Sequence, residues 1–383
     1  MNLAVYLPAI IAATCLQGCT LMAVIVHNFP GLDDGRIFAA RTVVRPAAAS
    51  PLRSLAGGSR VFDEFTFRDE NGVSARLAPY LEQTRTAAFV VLHNDRIVYE
   101  RYGRGYDERS LLNSFSIAKS VLATLVGIAI ADGSITSLDD TVEKYRPESA
   151  GTAYGTVTVR QLVTMTSGVV DLPALVPSKA RYYYGDDLPL LVARAVVKES
   201  ADKQWRYSDA DAQMLGFVLE SAVGMSVSAY LEETLWKPLG MESDAIWSLD
   251  RNGGVEKAFC CLNARARDFA RFGRLYLQHG RSNGAQLVPA DWAALSVLPA
   301  VATSFGHLQQ QFWWRPPGDV GDFFAYGHDG QYLYVSPKAQ VVIVKFSETR
   351  HQDPIPMFRA LADALTTPQR VAGIDRLVSR LDH

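Results

Sequence analysis

The chain has 383 residues, of which 48% are hydrophobic and 20% are charged, a composition typical of a globular protein with a large core. The formal net charge of -2 argues against nucleic-acid binding, which favours clustered basic residues. The sequence contains no dinucleotide-binding fingerprint, no phosphate-binding loop and no His-Glu-x-x-His zinc pattern. We therefore predict neither a nucleic-acid partner nor a metal or other cofactor.

Residues 1–27 are predicted to be a signal or membrane anchor. Leu3 to Val26 carries no charge, and a bilayer span needs about 20 apolar residues. Three interpretations stay open: an uncleaved anchor, a cleaved signal peptide, or a lipoprotein signal. In the third, Leu16-Gln17-Gly18-Cys19 resembles a lipobox and Cys19 is the lipidated residue. Because no Lys or Arg precedes the apolar run, the anchor is slightly favoured. We expect the folded part to be membrane-associated or periplasmic.

Residues 28–61 are rich in Pro, Ala, Gly and Arg, which predicts a linker or an arm lying over the domain. The folded domain is assigned to residues 62–383. Within it, Cys260 and Cys261 are adjacent, and neighbouring cysteines rarely bridge each other. We therefore expect no disulfide there.

The predicted elements follow in chain order. A helix over residues 73–84 precedes a hairpin of strands at 87–92 and 96–102. A buried apolar helix follows Ser114, its predicted cap, and ends at Gly133. Residues 134–245 are mostly helical, with helices at 158–165, 188–199, 214–220 and 227–236. Asp209 or Asp211 is predicted to cap the third of these. A further helix covers 263–280, strands are predicted at 311–315, 323–326, 331–335 and 341–346, and a last helix covers 356–366.

Strands at both ends with helices between them predict an α+β fold, an antiparallel sheet flanked by helices with an inserted, mainly helical unit. We assign a sheet subdomain to about 62–133 and 255–383, and a helical subdomain to about 134–254.

The most informative motif is Ser116-Ile117-Ala118-Lys119. On a helix, residues three apart lie on one face, so the hydroxyl and the amine can meet as nucleophile and base. The pattern recurs at Ser200-Ala201-Asp202-Lys203, among charged residues typical of a solvated loop. Because the first copy opens an almost wholly apolar helix, we assign the chemistry to Ser116 and Lys119.

Two further motifs lie downstream in the chain. Tyr207-Ser208-Asp209 precedes a predicted helix, and His328-Asp329-Gly330-Gln331 lies between two predicted strands. Tyr184-Gly185-Asp186 matches the same loose pattern as the first of these. The order Ser-x-x-Lys, Tyr-x-Asp, basic residue-x-Gly resembles the serine β-lactamase and penicillin-binding-protein superfamily. Within it, the chain is most similar to the class C β-lactamase-like group of esterases, D-amino-acid peptidases and aminohexanoate-oligomer hydrolases. The resemblance covers about residues 65–366.

The resemblance implies a role for each motif. Ser116 would attack the substrate carbonyl, Lys119 would take its proton, and Tyr207 would pass a proton to the leaving group and later activate water. The backbone amides of Ser116 and Gln331 would form the oxyanion hole, and Gly330 would let the strand approach the substrate. Apart from the resemblance, Tyr182, Tyr183, Tyr184 and Trp313 are candidates for the pocket lining, and the tyrosine run is equally compatible with a packed or exposed loop.

Two departures from the superfamily pattern bear on the substrate. The β-lactamases usually carry Lys where this chain has His328, and a largely neutral histidine offers no fixed charge to a carboxylate. Asp209 stands where Asn is common, and it would repel a carboxylate, pair with Lys119, or favour a substrate that bears an amine. We therefore expect a serine hydrolase that forms an acyl-enzyme and cleaves a small ester or a linear amide. The alternatives are a cell-wall D,D-peptidase or β-lactamase, and a non-catalytic or slowly deacylating sensor.

Overall fold

The computed structural model describes residues 20, 22, 23, 25–27, 29–49, 51–54, 62–299, 301–303, 306–318, 320–349 and 352–366. Cys19 and most of the predicted anchor lie outside these residues. The strands are β1 Ala40–Val43, β2 Arg53–Ser54, β3 Thr66–Arg68, β4 Ser74–Arg76, β5 Thr86–His93, β6 Arg96–Tyr102, β7 Leu112–Asn113, β8 Val169–Val170, β9 Val196–Val197, β10 Ala245–Ser248, β11 Leu262–Ala264, β12 Arg281–Ser282, β13 Ala285–Gln286, β14 Val301–Ala302, β15 Leu308–Gln310, β16 Trp313–Arg315, β17 Phe323–Gly327, β18 Gln331–Ser336 and β19 Val341–Ser347.

The helices lie mainly between the two strand-rich parts of the chain. They are α1 Leu77–Gln83, α2 Ile117–Ala131, α3 Val142–Tyr145, α4 Val159–Thr164, α5 Ser178–Tyr184, α6 Leu188–Ala193, α7 Asp209–Val223, α8 Val227–Leu231, α9 Ala266–Leu277, α10 Ala290–Ser296 and α11 Ile355–Thr366. A π-helix over Glu232–Trp236 continues α8, and short 3-10 turns cover Asp34–Arg36, Pro147–Ser149 and His328–Gly330. The predicted α+β class is confirmed.

A nine-stranded sheet joins the two ends of the domain, in the order β14-β15-β16-β17-β18-β19-β5-β6-β2. The predicted hairpin is β5 and β6, and β19 pairs antiparallel with β5 from Val341 opposite His93 to Ser347 opposite Thr86. Both faces of β5 are buried, because alternate residues contribute to two separate core clusters: Ala88 and Val90 to one, Phe89 and Val91 to the other. The assigned boundary between the two subdomains stays a prediction.

Helix α2 is buried along most of its length, from Ile117 to Ala129, as its apolar sequence predicts. It ends where expected, since Gly133 takes the left-handed conformation with φ of 83°. The predicted cap is wrong. Ser116, not Ser114, immediately precedes the helix. The backbone N–H of Ser114 donates a hydrogen bond to the Leu262 carbonyl oxygen.

Two predicted helices are longer than the observed ones. The helix expected over 188–199 ends at Ala193, because Val196–Val197 pairs with Val169–Val170 as a short antiparallel ladder. The helix expected over 263–280 begins at Ala266, because Leu262–Ala264 pairs with β10. In both places tertiary pairing overrides a local helical pattern.

A four-stranded sheet in the order β1-β10-β11-β7 connects the arm to the start of α2. Its strand β1 lies within the predicted linker, and Val43 of that strand is fully buried. Part of residues 28–61 is therefore an arm packed on the domain, which was one of the two alternatives predicted.

The sulfur atoms of Cys260 and Cys261 are joined as a disulfide, so the prediction of unbridged cysteines is wrong. Both residues are buried, and Cys261 has a left-handed backbone with φ of 70°. This conformation turns the chain so that the two adjacent side chains can meet.

Candidate active site

The turn that leads into α2 presents Ser116. Phe115 has a φ of 46°, a conformation that a large side chain rarely adopts, and its backbone N–H donates to Asn113 Oδ1 at 3.0 Å. Strain of this kind is typical of functional sites and is held in place by surrounding contacts. Here the Asn113 amide Nδ2 also donates to the Tyr183 hydroxyl at 3.0 Å, which fixes the side chain that supports the turn.

Ser116, Lys119 and Tyr207 converge on one hydroxyl oxygen. Lys119 Nζ lies 3.0 Å from Ser116 Oγ, and the Tyr207 hydroxyl donates to the same Oγ at 2.6 Å. The first contact follows from the three-residue spacing on a helix, but the second joins residues 91 positions apart. The structure thus brings together the nucleophile, amine and phenol that the sequence singled out.

Lys119 is surrounded by acceptors although only 2% of its side chain is exposed. Its Nζ donates to Asp209 Oδ1 and to the Phe259 carbonyl oxygen, each at 2.7 Å, as well as to Ser116. Three acceptors match the three donors of an ammonium group. Burial alone would lower the pKa of Lys119, but the Asp209 carboxylate and Tyr207 outweigh it, so this pKa is raised. The resting lysine is therefore protonated.

Tyr207 is held by the segment that begins α7. Ser208 caps that helix by accepting the Asp211 N–H at 2.9 Å, so the prediction of Asp209 or Asp211 as the cap is wrong. A serine in this position frees the Asp209 carboxylate to face Lys119. The Tyr207 ring stacks on Trp314 with centroids 6.2 Å apart, and burial raises its pKa while nearby Lys119 partly opposes this.

Residues 328–330 form the tight turn between β17 and β18, rather than a piece of strand. The close approach of Gly330 to a substrate stays a prediction. A different close approach is seen at Gly327, where an added Cβ would lie 2.3 Å from the Ser114 carbonyl oxygen. His328 lies at the same place: its ring packs edge-on against Phe115 at 5.7 Å, and its side chain is 57% exposed. Gly327 therefore sets how close the turn comes to the nucleophile.

Gln331 is fully buried, and its side chain fixes this turn. Its Nε2 donates to the carbonyl oxygens of His328 at 2.6 Å and Ser347 at 3.0 Å, and its Oε1 accepts from the Ser347 N–H at 2.8 Å. The role of its backbone amide in an oxyanion hole stays a prediction. Beside it, burial raises the pKa of Asp329 and the neighbouring His328 partly lowers it.

Two hydrogen-bond networks that support the site were not predicted from the sequence. Asp211, in the first turn of α7, accepts from the Tyr154 hydroxyl at 2.9 Å and from Ser167 Oγ at 2.8 Å, and burial raises its pKa to about 7. The Tyr183 hydroxyl donates to Asp34 Oδ2 at 2.7 Å, linking the arm to Asn113. Neither contact can be predicted from the sequence, because a single aspartate at a helix start or in an arm does not indicate which hydroxyl group it will bind.

Of the predicted pocket residues, Trp313 is in the core, packed on Phe272 and Tyr276 with 1% of it exposed. Its neighbour Trp314 is the tryptophan at the site. Tyr184 contacts Tyr183 rather than Ser116, which favours Tyr207 over the alternative Tyr184 motif. The second Ser-x-x-Lys copy lies in an exposed loop.

Within the described parts of the chain, no group of three or more His, Cys, Asp or Glu side chains is placed to hold a metal. Among those same residues, no single helix is long and apolar enough to cross a membrane. One pair, Asp209–Val223 with Val227–Trp236, reaches that length and hydropathy only when taken together across a 73° bend.

Comparison with known proteins places these motifs in a family. The beta-lactamase family model matches residues 73–366. A 6-aminohexanoate-dimer hydrolase of Paenarthrobacter ureafaciens is 29% identical over 309 residues, 71% of this chain and 76% of the relative. A solved structure from Bacillus anthracis, assigned provisionally as a 6-aminohexanoate-dimer hydrolase, is 26% identical with a TM-score of 0.78 and covers 87% of this chain and 90% of its own.

More distant solved structures share the fold. A family VIII carboxylesterase is 17% identical with a TM-score of 0.61, and covers 74% of this chain and 94% of its own. A class C β-lactamase from Rhodobacter sphaeroides is 18% identical with a TM-score of 0.56, and covers 75% of this chain and 96% of its own. Because the family model spans well over half of the chain and includes all three motifs, this protein belongs to the beta-lactamase family and is a serine hydrolase.

Proposed function

We propose that the protein hydrolyses a small ester or a linear amide through an acyl-enzyme on Ser116. The observation that carries this proposal is the convergence of Lys119 Nζ and the Tyr207 hydroxyl on Ser116 Oγ, at 3.0 and 2.6 Å. Relatives named as 6-aminohexanoate-dimer hydrolase and carboxylesterase support a linear amide or an ester as the substrate class.

The first step requires that Lys119 lose its proton. Asp209 Oδ1 lies 2.7 Å from Nζ and is the available acceptor. A bound substrate that excludes water would favour the neutral pair, because desolvation disfavours both charges. Neutral Lys119 then takes the Ser116 proton as Oγ bonds to the carbonyl carbon, and Tyr207 donates a proton to the leaving oxygen or nitrogen as the scissile bond breaks. In the second half-reaction the Tyr207 phenolate takes a proton from water as the water oxygen attacks the acyl carbon. Lys119 then returns its proton to Ser116 Oγ as the ester bond breaks and the acid is released.

The charges around the site disfavour a substrate with a carboxylate at this position. Asp209 adds a negative charge beside Lys119, and His328 replaces the lysine that would give a fixed positive charge. We therefore expect weak activity on penicillins and on D-alanyl peptides.

A substrate panel with three variants tests this function. We expect the wild type to hydrolyse p-nitrophenyl acetate or butyrate, or the linear dimer of 6-aminohexanoate, faster than nitrocefin. Ser116→Ala should lose at least about 10³-fold in kcat/KM, because removal of a triad nucleophile has this effect. Ser200→Ala, in the exposed copy of the motif, is the matched control and should behave as wild type.

Retained activity in Ser116→Ala would refute the assignment of the nucleophile. Rapid turnover of nitrocefin without turnover of esters or amides would instead favour a β-lactamase. A stable acyl adduct on Ser116, seen by mass spectrometry without product, would favour a sensor.

We also propose that the domain acts outside the cytoplasm at a membrane. The support is the uncharged run from Leu3 to Val26, which has the length of a bilayer span. Fractionation of cells that express the full chain, with and without residues 1–27, tests this: the full chain should sediment with membranes and the shortened chain should not.

A further inference from the structure

Residues just before the arm present an apolar face that the domain leaves uncovered. All described positions from 20 to 27 are helical. One side packs on the domain: Thr20 is 7% exposed, Ala23 contacts the core, and the His27 ring lies parallel to that of Tyr184 with centroids 6.2 Å apart. The other side, at spacings of three and four residues, presents Met22, Ile25 and Val26, which are 61–67% exposed, and Phe29 in the bend that follows is 80% exposed.

A second exposed apolar pair lies on the loop that precedes α5. Leu172 and Leu175 are 48% and 80% exposed, and Arg181 of α5 holds this loop by donating to the Leu172 carbonyl oxygen at 2.8 Å. Helix α5 has seven residues, so it is about 10 Å long, and it ends at Tyr184, against which His27 packs. One group is therefore related to this helix through the His27–Tyr184 contact, and the other through the Arg181–Leu172 hydrogen bond. We call Met22, Ile25, Val26, Phe29, Leu172 and Leu175 the apolar rim.

Ring contacts lead from His27, which lies in the helical segment beside the apolar rim, to the residue before the nucleophile. The Tyr184 ring packs edge-on against Tyr183 at 4.9 Å, and Tyr183 stacks on Phe115 at 6.0 Å. Phe115 immediately precedes Ser116. His27, which lies in the same helical segment as Met22, Ile25 and Val26, is therefore connected through Tyr184 and Tyr183 to Phe115.

We propose that the apolar rim rests in the interfacial layer of a lipid bilayer, and that the site hydrolyses amphiphilic acyl esters held in that bilayer. Met22, Ile25 and Val26 form the last part of the uncharged run that begins at Leu3, so the end of that run can lie at the membrane surface. Two separate segments contribute exposed apolar side chains, which distinguishes this surface from an isolated exposed hydrophobic residue. This inference rests on the proposed function, since the acyl group is transferred to Ser116 Oγ, the alcohol leaves with a proton, and water releases the fatty acid.

The test compares one ester in solution with one in vesicles. The full chain is assayed on p-nitrophenyl acetate in buffer and on p-nitrophenyl palmitate dispersed in phosphatidylcholine vesicles. For the double variant Leu172→Asp/Leu175→Asp we expect at least a tenfold loss on the vesicle-borne ester, with hydrolysis of the acetate within twofold of wild type. Val73→Asp is the matched control, because Val73 is 59% exposed next to β4 and should affect neither rate.

Equal wild-type and double-variant rates on the vesicle-borne ester would overturn the proposal. If the double variant does not fold, Phe29→Asp is read in the same way. A wild type inactive on both esters would refute the proposed ester activity, whereas acetate hydrolysis without the vesicle effect would refute only the rim. A vesicle-free dimer in light scattering, lost in the same variants, would assign the surface to a second copy and also overturn the proposal.

Discussion

Asp209 is the residue that most distinguishes this site from the Tyr-x-Asn pattern. Its carboxylate raises the pKa of Lys119, whose neutral form must accept the Ser116 proton. Loss of the Lys119 proton to solvent removes the need for its transfer to Asp209, so activity should increase as the pH rises through this raised pKa. Asp209→Asn removes the largest factor that offsets the burial of Lys119 and leaves only Tyr207, so this pKa falls. We expect the rising limb of kcat/KM to move to lower pH by about one unit or more, equivalent to about 1.4 kcal/mol per unit. A pH profile with p-nitrophenyl acetate measures the shift.

Asp202→Asn is the control for that profile, because Asp202 is exposed in the loop that carries the second Ser-x-x-Lys copy. Its profile should overlay that of wild type. An unshifted limb in Asp209→Asn would mean that the ion pair does not set the protonation of Lys119.

For single residues, the sequence predicts which residues form the site better than it predicts the contacts that they make. Ser116 and Lys119 meet because helical spacing dictates it, so the motif alone suffices. The ion pair between Lys119 and Asp209 was one of several alternatives, since only the tertiary fold decides which group a lysine faces. The Phe259 carbonyl could not be predicted, because a backbone acceptor 140 residues away has no residue type that marks it.

The turn between β17 and β18 acts as one element, and Gly327 controls its position. An added methyl group at Gly327 would lie 2.3 Å from the Ser114 carbonyl oxygen and 3.2 Å from the Phe115 Cβ, so the turn or the nucleophile must move. A displacement of about 1 Å at a catalytic group can cost about 100-fold in rate. We therefore expect Gly327→Ala to reduce kcat about 100-fold, measured with p-nitrophenyl acetate.

Gly72→Ala separates this effect from a general loss of stability. Gly72 has a φ of 75° and nothing within 4 Å of an added Cβ, so its replacement should cost about 1 kcal/mol in urea denaturation and leave kcat unchanged. Wild-type kcat in Gly327→Ala would show that the turn does not depend on this contact.

Elements with strong local patterns were predicted well, and those decided by pairing were not. Helix α2 and the β5–β6 hairpin follow from an apolar run and an Asn-Asp turn. By contrast, β9 and β11 were predicted as parts of helices, because two- and three-residue strands have no periodicity to detect. The tight turn at His328–Gly330 lies between two strands, as predicted, but the contact of Gly327 with the Ser114 carbonyl oxygen has no sequence signal.

At the scale of the whole molecule, the arm within residues 28–61 connects the small sheet to the active site. Its composition predicts an arm or a linker but not these contacts. Strand β1 pairs with β10, and the same small sheet reaches β7, which leads directly into the Ser116 turn. Asp34 of the arm also accepts the Tyr183 hydroxyl that holds Asn113. Because the arm contacts both the sheet and the support of the nucleophile, weakening it should lower stability and activity together.

Adjacent valines in this arm allow a matched test. Val43 is fully buried whereas Val44 is 44% exposed. Val43→Ala removes two buried methyl groups, so we expect a loss of about 1 to 3 kcal/mol in the free energy of unfolding and a fall in kcat/KM once the arm is partly released. Val44→Ala makes the same chemical change on the exposed side and should alter the free energy of unfolding by less than about 0.5 kcal/mol. Equal urea midpoints for the two variants would mean that the arm is not part of the cooperative fold, and the link from Asp34 to the nucleophile turn would then lose its structural basis.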